Sequence, residues 1–423
     1  MNHTRTDVRR TDDRPSRLAE TTLELLAFDT QNPPGETRQA FDWLERFVTE
    51  LGVEVERIEA ERERPNLVAT IPGEREWTLL YEGHLDTVPY DRDCWSHDPL
   101  GERVDNRLYG RGATDMKGAV AAMLETMRTF ADETPPVTLQ FAFVSDEETG
   151  GDAGIDAVLD AGAISADAAV VGETTCVDDR HSIAVADKGR IWLTLEATGR
   201  AAHGSRPMNG ENAIDYLYSV IDSCRESITS RRLEYDPAVE RILEESRAYY
   251  GSCPCEAGAH LEELFEYPTF NLGRLDGGNT VNSVPRTATG ELDVRVTPGA
   301  PTEAVLDQIR TCIDARENVS VRDVSWIEGT YVEPSAPIVE AVTTAAADVL
   351  PDRPLARCAT GGGDVKKLRA ADVPAVECAI GSDTAHGVDE YVSIEALERT
   401  AEWYVRLPSQ LAASIGSKRY STN

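Results

Sequence analysis

Lysine is scarce in this chain of 423 residues. It occurs only at positions 117, 188, 366, 367 and 418, so the 42 basic residues less these 5 leave 37 arginines, against 75 Asp and Glu and a formal net charge of −33. A chain with this balance is not expected to bind nucleic acid or an anionic membrane. Its hydrophobic content of 41% argues against a disordered acidic chain. We therefore expect a folded core beneath an acidic shell, as in a protein of a salt-rich cell.

Long apolar segments and dense cysteines are also lacking. No run approaches the ~20 apolar residues of a membrane-spanning helix, and the polar start over 1–17 has no apolar core of a secretory signal. Eight cysteines are too sparse for a disulfide scaffold. Cys253 and Cys255, with His260 nearby, offer one pattern for a metal clip, although two Cys one residue apart lack the usual zinc spacing. We expect a cytoplasmic protein without a membrane segment.

The apolar periodicity predicts an α/β fold with two domains. Strand-like runs alternate with helical patterns up to residue 187, which predicts a mixed sheet covered by helices on both faces. From residue 188 the order becomes strand, helix, strand, strand, helix, strand, a split βαβ unit, with a charged helical excursion over 231–266. Helical patterns return at 337–349 and close the chain at 393–407. The predicted boundaries are 1–187, 188–330 and 331–423.

A His-x-Asp pair follows the apolar run 77–81. Residues two apart on a strand lie on the same face, so His84 can ligate a metal while Asp86 lies beside it as an orienting carboxylate. A pair of this kind at a strand end also occurs as a structural feature alone.

Further acidic and histidine residues follow downstream. Asp115 lies between a glycine-rich turn and a helix start, Glu147, Glu148 and Glu173 come directly after strand-like runs, and His386 lies near the end of the chain. Ligands bind beyond the carboxyl ends of strands in open α/β sheets. Singly, Asp115 also suits a helix cap, the Glu pair a solvated turn and His386 a loop. As a set, these oxygen and nitrogen ligands suit zinc, cobalt or manganese.

Together, these motifs resemble the M20 metallohydrolases. His84-Leu85-Asp86, Asp115, Glu147-Glu148, Glu173 and His386 stand in the order of that family, which includes acetylornithine deacetylases, succinyl-diaminopimelate desuccinylases, aminoacylases and glutamate carboxypeptidases. The resemblance implies a zinc-peptidase-like catalytic domain with an inserted βαββαβ ferredoxin-like lid or dimerisation domain.

The same resemblance implies roles for the individual residues. Asp115 would bridge two divalent metal ions, zinc or cobalt, with His84 and Glu173 completing one site and Glu148 and His386 the other. Glu147 would be the general base, which takes a proton from a water held by the metals and returns it to the leaving amine. On an extended segment, neighbouring side chains point opposite ways, so we expect Glu148 to face the metal and Glu147 the substrate.

Three residues of the second domain also match the family. His203 resembles a lid histidine that reaches the active site of the partner in a homodimer and donates a hydrogen bond to the developing oxyanion; a turn histidine is the alternative. Asn282 and Arg295 match substrate-binding positions. Arg295 suits a substrate carboxylate, because its guanidinium group can donate two parallel hydrogen bonds, and a surface ion pair is the alternative.

These residues favour an amidohydrolase that acts on an N-acyl amino acid. Acetylornithine and succinyl-diaminopimelate are equally compatible substrates. A carboxypeptidase or dipeptidase on the same fold is the alternative, and the Glu at position 173 accompanies deacylases and carboxypeptidases in the family, whereas aminopeptidases there tend to have Asp. A catalytically inactive binding protein would be expected to lack a ligand or the base, and none is missing.

Overall fold

A computed structural model describes residues 14–252 and 260–418. The helices are α1 Arg14–Leu26, α2 Arg38–Glu50, α3 Gly118–Phe130, α4 Ile155–Asp160, α5 Ala213–Thr229, α6 Pro237–Gly251, α7 Leu261–Glu266, α8 Thr302–Asp314, α9 Pro337–Ala346, α10 Asp364–Ala370 and α11 Ile394–Lys418. The strands are β1 Val55–Glu61, β2 Arg64–Ile71, β3 Thr78–His84, β4 Glu102–Val104, β5 Arg107–Tyr109, β6 Thr138–Val144, β7 Ala168–Val171, β8 Cys176–Val177, β9 Ser182–Asp187, β10 Gly189–Thr198, β11 Thr269–Gly277, β12 Thr287–Val296, β13 Val319–Ile327, β14 Thr330–Tyr331, β15 Leu355–Ala359, β16 Ala375–Glu377, β17 Ile380–Gly381 and β18 Tyr391–Ser393.

The chain forms two compact units, and the second is inserted into the first. The first unit contains the residues up to Val185, Val332–Arg357 and the residues from Gly363 on; the second contains Ala186–Tyr331 and Cys358–Gly362. The predicted two-domain mixed α/β fold is confirmed.

The first unit is built on a large mixed sheet. Seven of its strands run in the order β1-β2-β6-β3-β7-β16-β9. Within it, β6, β3, β7 and β16 are mutually parallel neighbours. Their carboxyl ends therefore meet at one edge of the sheet, where ligands bind in folds of this type.

Helices cover both faces of this sheet. Alternate residues of β3 point to opposite faces, and each face contacts different helices. Leu80 packs in a core cluster with Val365 and Leu368 of α10 and with residues of α4. On the other face, the Tyr81 hydroxyl donates a hydrogen bond to the carbonyl of Tyr404 in α11. The central strand is thus buried on both sides, which fits the apolar run at 79–81 in its first half.

The second unit contains a four-stranded antiparallel sheet in the order β11-β12-β10-β13. Alternate residues of β10 are buried, and they share a core cluster with apolar residues of α5 and α8. This is the predicted βαββαβ arrangement. The charged excursion contains two helices, α6 and α7, as predicted, and its described residues 231–236 are not helical. Cys253 and Cys255 of the suggested metal clip lie outside the described residues.

The main differences from the sequence-based expectation concern the ends of helices. The helix expected over 337–349 ends at Ala346. The closing helix was expected to end at Leu407, but α11 continues through Pro408 to Lys418. Its apolar contacts outweigh the one backbone hydrogen bond that proline removes. A helix was expected to start directly after Asp115, but α3 begins at Gly118, because Ala113–Lys117 forms a separate turn. Among the described helices, none combines the length and apolar character that a bilayer crossing would require.

Candidate metal centre

Three adjacent parallel strands bring most of the candidate ligands to one edge of the first unit. His84 ends β3, Glu147 and Glu148 follow β6, and Glu173 follows β7. The central position of β3 between β6 and β7 explains why residues far apart in the sequence meet. Asp115 comes from the Ala113–Lys117 turn before α3.

One group of ligand atoms is centred on His84. Its Nε2 atom lies 3.2 Å from Asp115 Oδ1 and 3.3 Å from Glu173 Oε1. These three atoms lie within 4.8 Å of one another, which is the spacing expected around a bound cation. We call this group the first ligand group.

A second ligand group shares Asp115. The other carboxylate oxygen of Asp115, Oδ2, lies 3.0 Å from His386 Nε2, and Glu148 Oε2 lies 3.3 Å from the same nitrogen. A single carboxylate thus faces both histidines through different oxygens, which is the arrangement that a residue bridging two metal ions requires. The structure brings together all five predicted ligands, His84, Asp115, Glu148, Glu173 and His386.

The atoms and charges of this cluster fit divalent cations. His84 Nε2 and Glu148 Oε1 are buried and have no hydrogen-bond partner among the described residues. Buried carboxylates are costly unless they are paired or coordinate metals. Two divalent cations would neutralise this excess of negative charge and satisfy both unpartnered atoms. Oxygen and imidazole ligands suit zinc, cobalt or manganese.

The carboxylates of this cluster also shift the pKa values of the two histidines. Burial acts to lower the pKa of His84, but the nearby carboxylates of Asp115, Asp86 and Glu173 outweigh burial and hold the pKa well above its usual range. Hydrogen bonding to Asp115 and Glu148 raises the pKa of His386 to about 10. Without cations, the imidazoles thus take up protons in their place, so protons and metal ions would compete for these nitrogens.

Glu147 lies beside the first ligand group. Its Oε2 atom is 4.0 Å from His84 Nε2. Burial, opposed by His84 and reinforced by Glu173, raises the pKa of Glu147 well above its usual range. Gly363 provides the space for this carboxylate, since a Cβ atom there would lie 2.4 Å from Glu147 Oε1.

The expected geometry of the Glu pair is wrong in one respect. Glu147–Thr149 forms a single 3₁₀ turn, not an extended segment. In this turn both glutamates, and not Glu148 alone, lie within reach of His84. The alternative that Asp115 caps a helix is also excluded by its position, since the residue preceding α3 is Lys117.

Asp86 supports the turn that carries the two glutamates. Its carboxylate accepts hydrogen bonds from the backbone N–H groups of Glu147 and Glu148, each at 3.1 Å, and from the side chain of Asn32 at 2.9 Å. The closer contact of His84 Nδ1 is with the backbone carbonyl of Asp86, at 3.0 Å, and the carboxylate is 3.5 Å away. Asp86 therefore links the end of β3 to the Glu147 turn.

Asn32 was not recognised from the sequence as a site residue. Its amide nitrogen also contacts Asp146 Oδ1 and Thr149 Oγ1, each at 3.0 Å. The sequence shows Asn32-Pro33-Pro34-Gly35 as a helix-breaking loop, and nothing in that pattern indicates a contact with residues 54 to 117 positions away.

A buried ion pair lies behind the second ligand group. Glu390 accepts a hydrogen bond from the Arg111 guanidinium group. It also accepts backbone hydrogen bonds from Gly112, Thr114 and Asp115 at 2.9–3.1 Å. Neither side chain was recognised from the sequence, because two single charged residues 279 positions apart give no periodic signal.

The three predicted residues of the second unit lie on two of its loops and on β12. His203 and Asn282 are exposed and lie on adjoining loops: Gly204 N–H donates to the carbonyl of Asn282 at 2.7 Å. His203 Nδ1 accepts a hydrogen bond from the backbone N–H of Ser205. Arg295 donates two hydrogen bonds to Asp293, at 2.7 and 3.0 Å, so its guanidinium group is engaged in an ion pair on its own strand.

Known proteins share this fold and sequence pattern. Residues 80–410 match the family model of Peptidase family M20/M25/M40. The chain therefore belongs to this family of metal-dependent hydrolases, whose members act on amide and peptide bonds.

Two relatives by sequence are deacylases. The chain is 28% identical over 410 residues to succinyl-diaminopimelate desuccinylase 2 of a Ruegeria species, with 94% of this chain and 95% of that protein covered. It is 30% identical over 309 residues to the acetylornithine deacetylase of Edwardsiella ictaluri, with 70% and 72% covered. Among solved structures, an M20 family metallo-carboxypeptidase of Sulfolobus solfataricus superposes with a TM-score of 0.75 at 21% identity, covering 93% of this chain and 99% of that one. That likeness shows the fold.

Proposed function

We propose that this protein is a di-metal amidohydrolase that removes the acyl group from an N-acyl amino acid. The observation that carries the proposal is the single carboxylate of Asp115, whose two oxygens face His84 and His386 separately. His84, Asp115 and Glu173 would hold one cation, and Asp115, Glu148 and His386 the other. We expect zinc or cobalt. When bound, these cations supply Lewis acidity, which polarises an amide carbonyl and lowers the pKa of water.

Glu147 is the proposed general base. Its carboxylate lies beside the first ligand group, with Oε2 4.0 Å from His84 Nε2, which is farther than the 3.2 and 3.3 Å of Asp115 and Glu173. From this position it takes a proton from the attacking water and delivers it to the leaving amine. Burial raises the pKa of Glu147, which makes its carboxylate a stronger base and keeps the proton on the side chain until the amine leaves.

The sequence relatives support deacylation over peptide hydrolysis. Both relatives described above are named for the removal of an acetyl or succinyl group from an amino acid. Glu173, which accompanies deacylases and carboxypeptidases in the family, lies 3.3 Å from His84 Nε2 in the first ligand group. A metallo-carboxypeptidase or dipeptidase acting through the same ligands is the alternative.

The decisive experiment measures release of primary amine from N-acetyl, N-succinyl and N-formyl amino acids and from dipeptides. The protein is first loaded with Zn²⁺ or Co²⁺ in molar salt. Glu147→Gln should lose most activity and still bind both cations, because it keeps the shape of the side chain and removes its basicity. Glu147→Asp should retain part of the activity. Hydrolysis of dipeptides alone would favour the peptidase alternative, and inactivity on the whole panel with two bound cations would contradict the proposal.

We further propose that residues 188–330 form a lid and dimerisation domain, that 1–187 and 331–423 form the catalytic domain, and that the protein acts as a homodimer in the cytoplasm of a salt-rich cell.

His203 is the candidate oxyanion donor. Because its Nδ1 accepts the Ser205 N–H, the proton of the neutral ring lies on Nε2, which is then a donor. Asn282 and Arg295 are candidate substrate contacts, and substrate would have to replace or share the Asp293 pair of Arg295.

Subunit exchange tests the role of His203. His203→Ala and Glu147→Ala proteins should each be nearly inactive. When they are mixed, hybrid dimers should recover activity, since one active site then combines an intact Glu147 with His203 of the other subunit. The absence of recovery, with exchange verified by mass spectrometry of differently labelled subunits, would rule out a role across the subunit interface.

A further inference from the structure

The Arg111–Glu390 ion pair is buried within the first unit. The side chains are 5% and 0% exposed. Burying two charges is costly unless the remaining donors and acceptors are also satisfied. The contacts of this pair therefore indicate what it stabilises.

Glu390 accepts hydrogen bonds from the backbone of the turn that carries Asp115. One of its oxygens accepts the N–H groups of Thr114 and Asp115, at 2.9 and 3.1 Å, and the other accepts the N–H of Gly112 at 3.1 Å. Hydrogen bonds to an ionised carboxylate are stronger than those between neutral groups. The backbone that leads up to and includes the bridging ligand is thus attached to one side chain.

Arg111 also donates hydrogen bonds to the loop that carries His386. While one guanidinium nitrogen donates to Glu390, another donates to the backbone carbonyls of His386 and Gly387, at 3.2 and 2.9 Å. The turn of Asp115 and the loop of His386 are 271 positions apart in sequence, and this one ion pair contacts both.

The two histidine ligands differ in how firmly their surroundings position them. The side chain of His84 is 2% exposed and ends a strand in the middle of the sheet. The side chain of His386 is 54% exposed, it belongs to a loop, and its φ is +61°, a conformation that non-glycine residues rarely adopt. The position of His386 therefore depends more on backbone contacts such as those from Arg111.

We propose that Arg111 and Glu390 are positioning residues that set the spacing between Asp115 and His386 and thereby determine the affinity of the second cation. The inference rests on the proposed function, because it assumes that the second ligand group binds a cation. In the variants, the first cation would still be held by His84, the last residue of β3, and by Glu173, which follows β7. Loss of the ion pair should therefore weaken the second cation more than the first.

Cobalt binding to the full-length protein tests this selectivity. Glu390→Gln and Arg111→Met are titrated with Co²⁺ by calorimetry, and the visible absorption of the bound cobalt is recorded in parallel. Glu125→Gln is the matched control: Glu125 is also buried, at 7% exposure, and accepts a hydrogen bond from Arg17 at 2.8 Å, but it belongs to α3 and contacts neither ligand group.

We expect both site variants to lose roughly 10- to 100-fold in affinity for the second cobalt, as is typical when a partner behind a ligand is removed, and to lose less for the first, which shares only Asp115 with the second. The absorption contributed by the second cobalt should change, and excess Co²⁺ should restore kcat. The Glu125→Gln protein should match the parent in both affinities.

Other outcomes would overturn the inference. If both site variants bind two cobalt ions with parental affinities, the ion pair does not position the second group. If both cations weaken equally, and Glu125→Gln behaves in the same way, the pair supports the fold alone. A parent protein that binds no cobalt would refute the proposed function as well, so the two failures are distinguishable.

Discussion

Replacement of Asp86 by Asn tests how the Glu147 turn is held. The carboxylate accepts three hydrogen bonds, from the N–H groups of Glu147 and Glu148 and from the Asn32 side chain, and these are divided between its two oxygens. Asn has nearly the same shape but only one acceptor oxygen. In either orientation its NH₂ group faces at least one N–H donor, so at least one hydrogen bond is lost.

The size of the effect follows from these contacts. Hydrogen bonds to a charged group contribute about 1.5–3 kcal/mol and neutral ones about 0.5–1.5 kcal/mol, so two surviving bonds should each weaken by about 1 kcal/mol. The donor that loses its acceptor forfeits a hydrogen bond to a charged group, which costs about 2 kcal/mol. The free energy of unfolding should therefore fall by about 4 kcal/mol, and kcat should fall because Glu147 loses its fixed position.

Urea unfolding with a chelator present measures this change apart from metal binding. Asp160→Asn is the control, because Asp160 is exposed at the end of α4; exposed substitutions usually change stability by no more than about 0.5 kcal/mol. In a double-mutant cycle, Asn32→Ala should be non-additive with Asp86→Asn, since the two side chains are in direct contact. A loss below about 1 kcal/mol, or additive effects, would refute this account of the turn.

Three further predictions concern other parts of the chain. Gly363→Ala should lower kcat with both cations still bound, because the new Cβ displaces the Glu147 carboxylate, whereas Gly361→Ala, which has no atom within 4 Å of the added Cβ, should not; equal effects in steady-state kinetics would contradict this. Burial lowers the pKa of Lys188 to about 8, whereas an unfolded lysine titrates near 10.4. The unfolded state therefore binds more protons between these values, stability should rise with pH across that window, and Lys188→Met should abolish the rise in pH-dependent urea unfolding. Finally, the net charge of −33 should make stability increase from 0.1 M to molar KCl, because salt screens the repulsion among the acidic side chains; equal urea midpoints at both salt concentrations would argue against the salt-adapted interpretation.

The sequence predicts the fold well because its signals are local and periodic. Buried parallel strands appear as apolar runs, and the polar residues that follow them mark the edge of the sheet where the site forms. That signal marks His84, Glu148 and Glu173, whereas Asp115 and His386 were identified from the resemblance to the M20 family, and the structure brings all five together. Glu147 was assigned from its place in the motif, and its role stays a prediction.

The supporting contacts were not predictable in the same way. Asn32, Arg111 and Glu390 act through single hydrogen bonds to distant segments, and neither periodicity nor spacing records such pairs. The sequence also indicates that a proline ends a helix, whereas α11 continues past Pro408. Tertiary packing decides that boundary, and the local rule cannot anticipate it.

The order of the ligands along the chain has a consequence for biosynthesis. His84, Asp115 and Glu173 all precede the inserted second unit, whereas the second ligand group requires His386. Because domains fold as the chain emerges from its amino end, the nascent protein can present a complete first site long before the second exists. Strand β16, which pairs with β7, is also translated late. We therefore expect the newly made chain to pass through a form with one cation site and an unpaired edge at β7, and only translation of the last segment to close the sheet and complete the centre.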